Sequence, residues 1–257
     1  MNILVLGDVV SEIGCNFVRK KLSAFKKLKG IDFCIANGEN SAPGNGITPN
    51  SAQQLFLSGV DFITGGNHTY RRKEIYDFLD DNENIIRPLN YPASNPGKGM
   101  AVVDMGYCRV GIVNLMGTML MESLSNPFDC IDKALNELQG KSDIILVDFH
   151  AEATSEKKAM GFYLDGRVSA VFGTHTHVQT SDSRILPGGT GYITDVGMCG
   201  VIDSVLGVDK DIIIRKFKTN MPERFDSARG ACMINGCIFT VDEKTGKCTD
   251  IQAVCFE

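Results

Sequence analysis

The chain holds four histidines, His68, His150, His175 and His177, and each lies in a short polar segment that follows an apolar run. One histidine so placed is usually an ordinary hydrogen-bonded side chain. When all four are so placed, the pattern suggests a shared purpose. His175-Thr176-His177 is its sharpest part, because alternate residues of an extended segment can face two neighbouring metal ions. Asp8, in Gly7-Asp8, and Glu39, in Asn37-Gly38-Glu39-Asn40, add hard carboxylate oxygens, and Asn40 and Asn67 add amide oxygens. Imidazole, carboxylate and carbonyl donors without a thiolate suit iron, manganese or zinc better than a cysteine-type structural zinc site. Asp8, Glu39, Asn40, Asn67, His150, His175 and His177 are enough donors for two ions that share one bridge. Set against two carboxylates, two divalent ions leave a local charge of about +2, which would polarise a phosphate and acidify a bound water into a nucleophile. Taken singly, these segments have plainer readings. Asn37-Gly38 favours a turn, and Gly65-Gly66-Asn67-His68 suits a strand exit with positive φ. The combination carries the inference.

Such donors must be brought together by the fold, and the hydrophobic pattern says how. Asn2–Leu6 reads as a buried strand ending at Gly7-Asp8, Phe33–Ala36 as a second ending before Glu39, and Val60–Thr64 as a third ending before Asn67. Ile144–Phe149 runs into His150, and Val168–Phe172 runs into Gly173-Thr174-His175. Met100–Met105 and Arg109–Leu115 read as two further strands, and Cys232–Val241 as a strand that returns, through a turn at Lys244-Thr245-Gly246, in another ending at Phe256. Helices are expected over Gly14–Leu28, from the Thr48 cap and Pro49 to Gly59, over Pro127–Leu138 and over Ser155–Leu164. Asp8, Glu39, Asn67, His150 and His175 therefore all sit at or just past strand ends, where α/β sheets collect their ligands. Strands and helices alternating in this way predict an α/β fold. With no internal repeat or linker, residues 1–257 read as one domain.

Composition narrows the functional classes. Hydrophobic residues make up 43% and charged residues 22%, ordinary soluble usage. The net charge of -5 argues against a broad nucleic-acid-binding surface. No apolar run reaches membrane-spanning length, and no basic stretch precedes the first strand as in a signal peptide. Nine scattered cysteines, an odd number with no C-x-x-C pair, predict reduced thiols and a cytoplasmic location. Serine or cysteine nucleophilic catalysis fits poorly, since every histidine is already engaged and there is no G-x-S-x-G segment.

Gly-Asp near the start, Gly-Asn-His in the middle, an isolated histidine and then Gly-x-His-x-His resemble the calcineurin-like metallophosphoesterase pattern. The resemblance is closest to the YmdB-like branch. It is carried by Gly7-Asp8-Val9-Val10, Asn37-Gly38-Glu39-Asn40, Gly66-Asn67-His68-Thr69 and Asp148-Phe149-His150-Ala151-Glu152-Ala153-Thr154-Ser155-Glu156. It continues through Tyr163–Ala170 and Gly173–His177 to Ile185–Gly189 and Ile193–Gly197, so that it covers essentially the whole chain. This resemblance implies two β-sheets flanked by helices. It also implies two divalent or mixed-valence transition metal ions per chain, iron first and manganese next. Asp8, Glu39, Asn40 and His177 would hold one ion; Glu39 would bridge to a second held by Asn67, His150 and His175. His68 would be the general acid. The implied activity is hydrolysis of a small phosphodiester, a 2',3'- or 3',5'-cyclic nucleotide, by a metal-activated hydroxide. The alternatives are a phosphomonoesterase or nucleotidase with the same centre, and a regulatory nucleotide- or RNA-machinery-binding protein with little turnover; a homo-oligomer is compatible with each. The sequence departs from the branch at Tyr70-Arg71-Arg72, Gln179 and Cys199-Gly200-Val201, none of which removes a donor. Arg71 and Arg72 read as a solvated helix start or as residues that alter which substrate docks beside His68.

Overall fold

Alternation along the strands decides the layering. In β1 (Asn2–Leu6), Ile3 and Val5 enter one apolar cluster while Leu4 and Leu6 enter another, as side chains of period two must. A strand buried on both faces needs a layer on each side. The computed structural model, which describes residues 1–257, supplies both. The further elements are β2 (Asp8–Val9), α1 (Ser11–Lys29), β3 (Phe33–Asn37), α2 (Pro49–Leu57), β4 (Phe62–Thr64), α3 (Ile75–Asp81), β5 (Met100–Asp104), β6 (Arg109–Met116), α4 (Pro127–Leu138), β7 (Ile144–His150), α5 (Thr154–Tyr163), β8 (Ala170–Thr174), β9 (Arg184–Ile185), β10 (Gly191–Ile193), β11 (Met198–Val201), α6 (Lys210–Thr219), β12 (Cys232–Val241) and β13 (Cys248–Phe256).

The first sheet has the order β2-β11-β12-β1-β3-β4, with β13 pairing β12; the second has the order β5-β6-β7-β8-β10-β9. β1, β3 and β4 run parallel, as do β6, β7, β8 and β10. Ile3, Val5, Phe33 and Ile35 of the first sheet meet Ile112, Leu146, Phe172 and Ile193 of the second in the central layer. Outside the first sheet, Val18 and Leu22 of α1 and Leu55 of α2 cover Leu4, Leu6 and Ala36. Outside the second, α4 and α5 bring Ile131, Leu138 and Met160 onto Val113, Val147 and Phe149. Each fully buried side chain of this size contributes about 1.5–3 kcal/mol. The result is helix, sheet, sheet, helix, as expected.

Local signals behave as their chemistry requires. Thr48 caps α2 in a reciprocal box with Ser51, and Pro49 takes the first helical position. Gly30, at φ 60, ends α1. The structure also contains elements the hydrophobic pattern does not reveal: β2, β9, β10 and β11, a 3-10 turn at Thr69–Arg71, α3 and α6. No helix is long and apolar enough to cross a membrane.

Candidate active site

Strands of both sheets end at one edge, and the donors lie there. Asp8 opens β2; Glu39 and Asn40 follow β3; Asn67 and His68 follow β4. From the other sheet, His150 closes β7, and His175 and His177 follow β8. The first sheet thus supplies the carboxylates and amides, and the second supplies three imidazoles. Asp8, Glu39, Asn40 and His150 are all buried. All eight residues singled out in the sequence come together here.

One nitrogen bears on what the arrangement could hold. Thr174 Oγ1 donates its proton to Asp148 Oδ1 at 2.7 Å, so it must accept from His150 Nδ1, 2.9 Å away. His150 in its neutral form therefore presents a lone pair on Nε2. Around that atom stand Asn67 Oδ1 at 3.0 Å, His175 Nδ1 at 3.1 Å and Glu39 Oε1 at 3.4 Å. Acceptors converging on an acceptor repel one another unless a positive charge lies between them. Glu39, His150 and His175 form a group able to hold a metal ion, and the nitrogen-rich donor set fits a transition metal. When only protons compete for the place, Glu39 raises buried His150 to about 9 against its own desolvation. Burial and the neighbouring His150 lower His175 to about 4, leaving it neutral, with Nε2–H directed at Glu152 Oε2, 3.2 Å away, and the lone pair on Nδ1. Burial opposes ionisation of Asp8 and Glu39, yet His177 and His150 hold Asp8 below its usual range, and His150 and His68 hold Glu39 well below its own.

The second set is looser. His177 Nε2 lies 3.5 Å from Asp8 Oδ1, and its Nδ1–H is oriented by Leu206 O at 3.3 Å. Asn40 turns its amide nitrogen towards Glu39 Oε1, at 3.0 Å, and Asp8 Oδ1, at 3.4 Å, while its oxygen accepts from His68 Nδ1 at 2.8 Å. A flip of this amide would exchange the two roles and face its oxygen to Asp8. His68 is fixed a second time by its backbone N–H, which donates to Glu39 Oε2 at 2.7 Å.

His175-Thr176-His177 is not an extended segment. His175 has φ 100 and His177 φ 62, so the two rings diverge through left-handed backbone rather than through strand alternation. Such conformations persist only where their surroundings impose them. His175 N–H donates to Asp8 Oδ2 at 3.1 Å, and Thr176 donates through N–H and Oγ1 to Asp195 Oδ2 at 3.1 and 2.8 Å. Asp195 is held in turn by Lys157 of α5, whose Nζ lies 2.6 Å from Oδ2 and also donates to Thr174 O at 2.7 Å. Both side chains are 1% exposed. Beneath His150, buried Asp148 accepts from Thr64 at 2.5 Å and from Asn37 at 3.3 Å, joining the two sheets. Burial raises its carboxyl to about 6. These supporting residues were not singled out in the sequence. Asp148 and Asp195 lie inside runs that carry the family resemblance, but Lys157 gives no local signal.

A family model described as YmdB-like protein matches residues 4–254. The chain belongs to the YmdB-like family. It is 46% identical over 254 residues to the 2',3'-cyclic-nucleotide 2'-phosphodiesterase of Bacillus subtilis (strain 168), an overlap of 99% of this chain and 96% of that one. A Thermus thermophilus structure described as a hypothetical protein matches at a TM-score of 0.93 and 40% identity, covering 100% and 99% of the two chains. The crystal structure of a protein described as a novel phosphatase from Mycoplasma pneumoniae matches at 0.94 and 36%, covering 100% and 93%.

Two of the positions at which this YmdB-like chain reads as departing from the branch, Arg72 and Gln179, make defined contacts. Arg72 is not a solvated helix start: it donates to the backbone carbonyl of Pro43 and, at 3.2 Å, to that of Asn45. It thereby clamps the loop that brings Asn45 beside His68. Arg71 ends the 3-10 turn and is exposed. Gln179 donates to the carbonyls of Gly236 and Val254 at 2.9 and 3.1 Å, tying the loop after the histidines to β12 and β13. Beside the donors opens a cavity of about 610 Å³, whose lining includes His68, His175 and His177 and also Leu206, Val208 and Phe225.

Proposed function

We propose that the chain hydrolyses phosphodiesters, with 2',3'-cyclic nucleotides as the substrate class. The observation that carries this reading is the convergence of four lone-pair donors at His150 Nε2, with His68 and a cavity beside them. The name of the Bacillus subtilis relative supports the same class. Asp8, Glu39, Asn40 and His177 would hold one ion, and Glu39, Asn67, His150 and His175 the other. Iron and then manganese fit so many imidazoles better than magnesium does. Bound there, the ions supply Lewis-acid polarisation of the phosphate and a nucleophile at neutral pH.

The rest falls to side chains of this chain. Hydrolysis adds the elements of water across the P–O2' bond, and the departing ribose oxygen needs a proton. His68 directs Nδ1 to Asn40 and Glu39, leaving Nε2 on the cavity side next to Asn45. From there a protonated His68 delivers its Nε2 proton to the leaving oxygen. Arg72, through the Pro43–Asn45 loop, and Glu39, through the His68 N–H, keep the ring in place. The nine free cysteines, seven of them buried, support a reducing cytoplasmic location.

The test is a turnover comparison on metal-replete protein. Adenosine 2',3'-cyclic phosphate and bis-p-nitrophenyl phosphate should be hydrolysed with higher kcat/KM than adenosine 3'-monophosphate and p-nitrophenyl phosphate. A preference for the monoesters would replace this reading with a phosphomonoesterase. No turnover of any of the four would favour a binding protein.

A further inference from the structure

We propose that the segment Glu223–Ser227 is one wall of a nucleobase subsite, with the Phe225 ring as its stacking face; this rests on the phosphodiesterase reading for the reacting end of the ligand. The cavity is about 610 Å³, in the range of small-ligand pockets, and its lining combines two chemistries. It carries candidate metal donors and His68, and it also carries the apolar side chains Leu206, Val208 and Phe225 together with Asp226 and Ser227. A nucleotide divides in the same way, into a phosphate and a flat base with a polar edge.

Phe225 is 45% exposed and lines the cavity. It is nevertheless held firmly. Lys216 Nζ sits over the ring, 4.5 Å from its centroid, and Lys216 does not line the cavity. Arg215, the preceding residue of α6, holds Glu223 at 3.1 Å. Backbone bonds from Asp209 N–H to Asp226 O, at 3.0 Å, and from Ala228 N–H to Gly207 O, at 2.9 Å, pin the segment behind the ring. A braced ring with one face left to a cavity is a stacking platform.

The charges around it define what stacks. Apart from the histidines, the charged residues lining the cavity are Glu39, Glu152, Glu223 and Asp226, with no lysine or arginine among them. Away from the metal donors, nothing there welcomes a second phosphate. The carboxylate of Asp226 and the hydroxyl of Ser227 can instead pair with the edge of a base, accepting from an exocyclic amino group. The ligand class is therefore a mononucleotide with a single phosphodiester, purine preferred for its larger stacking face, and not the end of a longer polynucleotide.

Two substrates that differ only in the base provide the test: adenosine 2',3'-cyclic phosphate and 1-O-methylribose 2',3'-cyclic phosphate. Stacking of a base on an aromatic side chain is worth about 5- to 150-fold, and one open face places Phe225 in the lower part of that range. Phe225→Ala should raise KM for the adenosine substrate by about 5- to 30-fold, leave kcat nearly unchanged and leave KM for the abasic substrate unchanged. Phe225→Tyr should restore KM. An equal change on both substrates, or none on either, overturns the proposal. If the wild type hydrolyses neither cyclic phosphate, the phosphodiesterase reading falls by itself, and the subsite is then read by calorimetry with adenosine 3'-monophosphate. Weakened binding by Phe225→Ala over the same range would support it; equal affinities would overturn it.

Discussion

Alanine at position 66 would place a methyl carbon 2.3 Å from Glu39 Oε2, 2.4 Å from His150 Nε2 and 2.5 Å from His150 Cδ2. Gly66 does not have a positive φ, so the backbone accepts alanine and the whole effect is steric. Ordinary van der Waals separations are about 3.5 Å, so both side chains would have to retreat by about 1 Å. Neither has free space: Glu39 is 1% exposed and His150 0%. Overpacking of this kind costs about 1–3 kcal/mol. At about 2–4 °C per kcal/mol for a domain of this size, Tm should fall by about 2–12 °C. The larger consequence concerns the metal donors, since a displacement of about 1 Å at a reacting centre costs about 100-fold in rate. Gly66→Ala should be folded, depleted in metal when purified without chelator, and about 100-fold slower. Gly200→Ala serves as a control, because its added carbon would lie 3.4 Å from the nearest atom, Val10 Cβ. Mass-spectrometric metal analysis, a thermal scan and one turnover assay suffice. Wild-type metal content and rate in Gly66→Ala would refute the claim that this glycine exists to let the donors converge.

His68→Ala should keep its metals and lose about 10²–10⁴-fold on a cyclic nucleotide, whose ribose leaving oxygen needs a proton. It should lose much less on a p-nitrophenyl ester, and equal losses on the two would remove the acid role. Glu39→Ala should lose more metal than Asn40→Ala by the same elemental analysis; equal contents would show that Glu39 bridges nothing. Lys157→Met strands the Asp195 carboxylate in the interior, which costs about 3–5 kcal/mol and should lower Tm by about 6–20 °C; a shift of only a degree or two would show that Asp195 finds another partner. Burial pushes the Cys15 thiol up to about 12 and raises Cys34, Cys199 and Cys237 as well, so a thiol reagent at pH 7 should reach exposed Cys255 first and half-buried Cys130 next. Rapid labelling of most of the nine under native conditions would contradict the packing of the sandwich.

The eight principal site residues were legible because they sit where long apolar runs stop, and runs such as Ile144–Phe149 are buried on both faces and hard to misread. The boundaries were less legible. β8 covers Ala170–Thr174 rather than 168–172, so His175 follows the strand directly. β2, β9 and β10 span only two or three residues each, too few for a period to show. α6 buries only Ile213, so its hydrophobic pattern has no clear face. What local pattern could not reveal depends on distant pairings. Lys157 and Asp195 are 38 residues apart, and Arg72 reaches back 27 residues to Asn45. The kink at His175 and His177 is of the same kind, since its cause lies in Asp8 and Asp195 rather than in the three residues themselves.

In the proposed ligand sets the donors are divided between the two sheets, so each bound ion would be a cross-link. Asp8, Glu39 and Asn67 belong to one half of the sandwich, and His150, His175 and His177 to the other; only the folded chain brings residue 8 within reach of residue 177. Ion binding would therefore be thermodynamically linked to folding, and free metal at about 100 times Kd would add about 2.7 kcal/mol of stability. A cell short of metal would lose turnover and also the rivets between the sheets, exposing the chain to unfolding and proteolysis. Its abundance would then track the metal supply with no dedicated sensor.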